Sequence, residues 1–173
     1  MSINRVSHVL TGVLLVWLLA VLSSALAPAN VAYAAWSSAH DTPGAPLAST
    51  SISGSLTGNT TWTLAGSPYL VTGDVTVPNG VTLTIDPGVQ VVFNQYTALW
   101  VDGQLNASGT AGAPVVFTGS SQTAGWWRGV QVQTAGAAIL GYAEVAYSGY
   151  SEFVGLLKSG SGALSVSNST FHD

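Results

Sequence analysis

The stretch Gly73-Asp74-Val75-Thr76-Val77-Pro78-Asn79-Gly80-Val81-Thr82-Leu83-Thr84-Ile85-Asp86-Pro87-Gly88-Val89 decides the fold class. Two alternating runs, Asp74 to Val77 and Val81 to Ile85, are each closed by a turn tripeptide, Pro78-Asn79-Gly80 and Asp86-Pro87-Gly88. Successive side chains of a strand point to opposite faces. Val81, Leu83 and Ile85 therefore face one core, and Thr82 and Thr84 face away. Proline pre-sets the turn and glycine closes it, so each strand is short. The same grammar extends in both directions, through Thr61-Trp62-Thr63-Leu64 and Tyr69-Leu70-Val71-Thr72 upstream and Val89-Gln90-Val91-Val92-Phe93 downstream. Helical spacing of Leu, Glu, Lys and Arg is nearly absent after residue 34, so the chain is expected to be all-β.

Internal repetition selects among all-β layouts. Gly129-Val130-Gln131-Val132 matches Gly155-Leu156-Leu157-Lys158 at an offset of 26, and Ala98-Leu99-Trp100-Val101 precedes it by about 31. Gly141 to Ser148 matches Ser165 to His172 at an offset of 24, which lays Tyr142 and Tyr147 on Val166 and Phe171. A drifting period of 24–31 residues with several short strands in each is what one coil of a solenoid requires. A sandwich or barrel also has short strands, but its strands are not tied to a recurring coil. Residues 61–173 have room for about four coils.

The upstream part reads differently. Residues 1–34 have the form of a Sec-type signal peptide with a signal helix. Arg5 precedes an apolar run of 14 residues, Val9 to Leu22, and Ala32-Tyr33-Ala34 offers the cleavage pattern. A membrane span needs about 20 apolar residues, so the run is too short for an anchor. No cysteine follows it for lipidation, and after cleavage no membrane attachment is expected. Residues 35–60, rich in Ser, Thr, Pro and Gly, read as a flexible linker, with order beginning near Thr61.

Composition narrows the function. Only 6% of the 173 residues are charged, against about 25% in an average soluble protein. Three basic residues give no footprint for nucleic acid. There is no cysteine for a disulfide framework or zinc site. Removal of the leader leaves Arg128 and Lys158 against seven acids, a net charge of −5.

Against this background the residues resemble bacterial right-handed parallel β-helix repeat proteins of the secreted or surface-displayed kind. The resemblance rests on Thr61-Trp62, Ser67-Pro68-Tyr69 and the run from Gly73 to Val89. It continues through Leu99 to Thr110, Pro114-Val115-Val116-Phe117-Thr118 and Trp126-Trp127-Arg128-Gly129-Val130. It covers residues 61–173 and implies a right-handed β-solenoid at the cell surface. It implies an activity less firmly, because one solenoid hosts lyases, hydrolases and non-catalytic surface proteins. Trp62 and Tyr69 are expected to close the first coil. No cap is visible at the other end, so further coils of the same chain are expected past Asp173.

Candidate chemistry is sparse. Arg128 and Lys158 are expected near one corner, roughly one coil apart, but without an acid cluster they read as solvated turn charges. Asp74, Asp86 and Asp102 each adjoin a Gly or Pro turn and read as turn residues. His8, His40 and His172 pair with no ligand at metal spacing, and no calcium loop or Gly-x-Ser-x-Gly elbow occurs. The sequons at Asn59, Asn106 and Asn168 are common by chance in such a chain and carry no expectation of glycosylation. No catalytic residue, metal or cofactor is assigned. Aromatic residues supply the binding candidates. Of Trp126 and Trp127, one ring is expected inside and one outside, and an exposed ring on a β-face stacks on sugars. Tyr147 and Tyr150 raise the same reading. The expectation is an exported, non-catalytic surface or matrix protein for display or adhesion, with weak contact to polysaccharide or other cell-surface components. The alternative is the N-terminal part of a β-helix polysaccharide lyase or glycoside hydrolase whose active coils follow residue 173.

Overall fold

A computed structural model describes residues 49–151 and 154–173, all within the compact unit Pro46–Asp173. The signal-peptide reading and most of the linker lie outside the described residues. Numbered along the chain, the strands lie on three faces. Face one stacks β2 (Thr60–Trp62), β4 (Thr82–Ile85), β7 (Gln104–Ser108), β10 (Ala137–Gly141) and β13 (Leu164–Ser167). Face two stacks the first half of β3 (Tyr69–Val77) with β5 (Gln90–Phe93), β8 (Val115–Gly119), β11 (Ala143–Ala146) and β14 (Thr170–His172). Face three stacks the second half of β3 with β6 (Leu99–Val101), β9 (Val130–Val132) and β12 (Leu156–Lys158). All these pairings are parallel, and β1 (Thr50–Ser55) runs alongside both halves of β3.

The described residues thus form an all-β, right-handed parallel β-helix, the hand that parallel crossovers almost always take. Four three-strand coils run from β2 to β12, and β13 with β14 begins another. The alternation fills the tube: Leu83, Ile85, Val91, Phe93, Leu99, Val101, Phe117 and Leu140 are each 0–1% exposed. Burying side chains of this size favours folding by about 1.5–3 kcal/mol apiece. No helix among the described residues is long and apolar enough to cross a membrane.

Three expectations are corrected. Order begins before Thr61, because β1 lies inside the stretch read as linker and pairs with β3 from Thr50↔Tyr69 onward. The offset between the last two coils is 26 rather than 24: Leu140, not Tyr142, lies on Val166, and Val145, not Tyr147, lies on Phe171. Tyr142 instead forms the corner between β10 and β11, with φ 47°. Lastly, Arg128 and Lys158 do not share a corner. Lys158 ends β12 opposite Val132, whereas Arg128 precedes β9, so they stand at opposite ends of face three.

Candidate functional site

The corner between faces two and three gathers several of the outward aromatic and charged side chains. Three loops form it on successive coils: residues 94–98, 120–129 and the described residues 147–151 and 154–155. Backbone hydrogen bonds stack them. Tyr96 N donates to Trp126 O at 3.0 Å, Trp126 N to Tyr147 O at 2.8 Å, and Tyr150 N to Trp127 O at 3.1 Å. Gly129 makes the stacking possible. It sits at φ 90°, and a Cβ there would lie 2.4 Å from Val154 O, so only glycine fits. Gln131, fully buried on β9, ties the loops down through its side-chain amide, which donates to Arg128 O at 2.7 Å and Val154 O at 3.2 Å.

The tryptophan pair lies in the 120–129 loop rather than on a strand, and neither ring stands free outside: Trp127 is fully buried and Trp126 packs partly buried against the core. Trp127 is 0% exposed; its ring lies parallel to Phe93 with centroids 3.8 Å apart, and Nε1 donates to Ala146 O at 2.9 Å. That places Trp127 in the core, where its faces are occupied. Trp126 is half-buried beneath the turn after β8, with Nε1 donating to Ser120 Oγ at 2.9 Å. Tyr147 is half-buried, with the His172 ring edge-on at 6.3 Å. Tyr150 is exposed and meets Tyr96 at 4.4 Å between ring centroids, tilted by 55°. Tyr96 was not singled out in the sequence. The signal was there: Tyr96, Trp126 and Tyr150 recur at 30 and 24 residues, about one coil each, in the same loop. Tyr96 is held at φ 64°, an outlier for a bulky residue and a conformation that costs of order 1 kcal/mol or more.

Asp74 does more than turn the chain. Its Oδ1 accepts from Ala98 N at 3.0 Å and its Oδ2 from Trp100 Nε1 at 3.1 Å, and Arg128 Nη1 lies 3.7 Å from Oδ2. One carboxylate on the first coil thus engages the second and third. Both members of the ion pair are more than 30% exposed, so the pair itself contributes little to stability. Lys158 Nζ donates to the carbonyls of Gln133 and Ser159 at the other end of face three. Asp86 accepts through its backbone carbonyl in the turn before β5, from Val89 N at 3.3 Å. Among the described residues no three His, Asp or Glu lie close enough together to hold a metal ion. The chemistry on display is an exposed aromatic pair beside a single ion pair, suited to stacking and hydrogen bonding.

A family model described as a pectate-lyase-like β-helix domain matches residues 54–164, more than half of the chain. The chain belongs to that family. The match spans β2 to β12 and so includes the whole aromatic corner of this pectate-lyase-like domain. A curated relative, Protein bark beetle of Drosophila melanogaster, is 40% identical over 60 residues, which is 35% of this chain and 2% of that protein. No solved structure gives a significant match.

Proposed function

We propose that this β-helix domain is an exported, non-catalytic component of a cell surface or matrix that serves in display or adhesion and contacts neutral glycans through its aromatic corner. The Tyr96–Tyr150 pair carries the reading: two exposed rings from loops two coils apart meet at 4.4 Å between centroids, tilted to each other by 55°. Tyrosine rings stack on the apolar face of a sugar while their hydroxyls stay wet. Asp74 and Arg128 stand on the same corner, where their charged groups offer hydrogen bonds to sugar hydroxyls. With a net charge of −5 outside the leader and no basic cluster, neutral polysaccharide is favoured over acidic. The form of residues 1–34 supports export.

Binding of soluble neutral polysaccharides tests the contact. Tyr96→Ala and Tyr150→Ala are each expected to weaken binding about five- to tenfold, in line with the worth of one aromatic stacking partner. Unchanged affinity in both variants rules the contact out. The family match keeps a second reading in view, a lyase or hydrolase of which this is one part. Cleavage of polygalacturonate, abolished by Arg128→Ala, would decide for that reading.

A further inference from the structure

Two Asx-Gly pairs meet in one polar notch between faces three and one. The notch, of about 160 Å³, is lined by Asn79, Gly80, Thr82, Asp102, Gly103 and Gln104 along with two alanines. Asn79-Gly80 turns the chain from β3 into β4, and Asp102-Gly103 turns it from β6 into β7 one coil later. Both pairs have the same reaction open to them in principle. The glycine nitrogen attacks Cγ of the preceding side chain and a five-membered succinimide closes. The requirements are a glycine N–H not held by an acceptor, and space around the glycine.

The structure supplies these at one pair and withholds them at the other. Asn79 and Gly80 are exposed. Gly80 has φ 81° in a turn closed by Val81 N donating to Pro78 O at 3.0 Å, which directs its own N–H outward. That N–H donates to no group among the described residues. A Cβ built on Gly80 meets nothing within 4 Å. Gly103 is the reverse. It is buried, its N–H donates to Val77 O at 2.9 Å, and a Cβ there would lie 2.3 Å from both Pro78 O and Val81 O.

We propose that Asn79-Gly80 is a site of spontaneous deamidation and that Asp102-Gly103 is protected by the fold. The Gly80 N–Cγ bond forms and the Cγ–Nδ2 bond of Asn79 breaks. The Gly80 proton leaves with the departing nitrogen as ammonia. Water then opens the succinimide at either carbonyl to give aspartate or isoaspartate, with no change of oxidation state. Either product sets a second carboxylate in the notch that already holds Asp102. Isoaspartate also adds a methylene to the turn whose Pro78–Val81 hydrogen bond sets the start of β4.

The test is peptide mapping by mass spectrometry of the full chain kept warm at mildly alkaline pH, native and unfolded in guanidinium. In the native chain the Asn79 peptide is expected to gain one dalton, and to form isoaspartate, at a rate within about threefold of the unfolded chain. Asp102 is expected to isomerise at least about tenfold more slowly in the native chain, because its glycine must first be freed by local opening. A native rate at Asn79 tenfold or more below the unfolded rate overturns the proposal. Equal native and unfolded rates at Asp102 overturn the protection. Asn79→Gln is expected to abolish the mass change in that peptide, and its persistence would assign the reaction elsewhere.

Discussion

The two ends of the described solenoid carry the same alternation and the same parallel register, yet opposite burial. At the near end Trp62 is 1% and Tyr69 6% exposed, their rings stacked at 4.9 Å and 13°. Thr63 N donates to the Tyr69 hydroxyl at 2.9 Å, β1 covers both halves of β3, and Ile52 and Leu56 pack on the core. At the far end Leu164, Val166 and Phe171 are 39–42% exposed. Their register partners one coil earlier, Ala138, Leu140 and Val145, are 0–2% exposed. The pattern of the strand decides which way a side chain points. The coil stacked on it decides whether that side chain leaves water, which is why stability in a solenoid is shared between neighbours.

Large-to-small substitutions at the two ends are the strongest way to break this contrast. Trp62→Ala is expected to cost about 3–5 kcal/mol, the range for a buried aromatic truncated in a packed core, read as a shift of the denaturant midpoint. A cost below about 1 kcal/mol, the level of an ordinary surface change, would show that the near end is not closed by its ring stack. Phe171→Ala sharpens the same contrast from the other side. With its ring half in water, the loss is expected to be about 1 kcal/mol or less. A loss equal to that of Trp62→Ala would mean that Phe171 is covered in solution.

The smallest effect lies at the same far edge. His172 Nε2 and Glu144 Oε1 are 2.9 Å apart, joining the outer faces of β14 and β11. The hydrogen bond to the Glu144 carboxylate favours the imidazolium and raises the His172 pKa above its ordinary value. A raised folded-state pKa means that the contact contributes fully below the ordinary histidine pKa. Its contribution is lost as pH rises through the raised value. An NMR titration of the imidazole is expected to show the raised midpoint, and Glu144→Gln is expected to lower it. An unmoved midpoint in the variant would sever the link between the two strands.

What the sequence made legible follows from the same physics. Alternation, the Pro-Asn-Gly and Asp-Pro-Gly turns, and the 26- and 31-residue offsets on face three all appear in the structure. The misplaced offset at the last coil was a slip of two residues. A slip of two leaves every side chain on its own face, so hydrophobic pattern alone does not detect it. β1 was missed because Thr50-Ser51-Ile52-Ser53-Gly54-Ser55 has a single large apolar residue. It is a strand by virtue of the edge that β3 offers, with a register shift between Ile52 and Gly54. The expected inside–outside division of Trp126 and Trp127 assumed a strand, but both lie in a loop: Trp127 is drawn in onto Phe93 a coil away, and Trp126 also packs against the core. Asp74 was read as a turn residue because its partners, Ala98, Trp100 and Arg128, lie 24 or more positions away.

The connections at the aromatic corner differ in length from coil to coil. In the first coil β3 bends through without a break, and the next three connections have five, ten and nine residues. Doubling a loop costs only about 0.6 kcal/mol of closure entropy. The strands on either side keep their parallel register throughout. This corner is therefore the margin at which the protein is free to be rewritten. Insertions here change the surface offered to the outside while the tube that carries it stays the same.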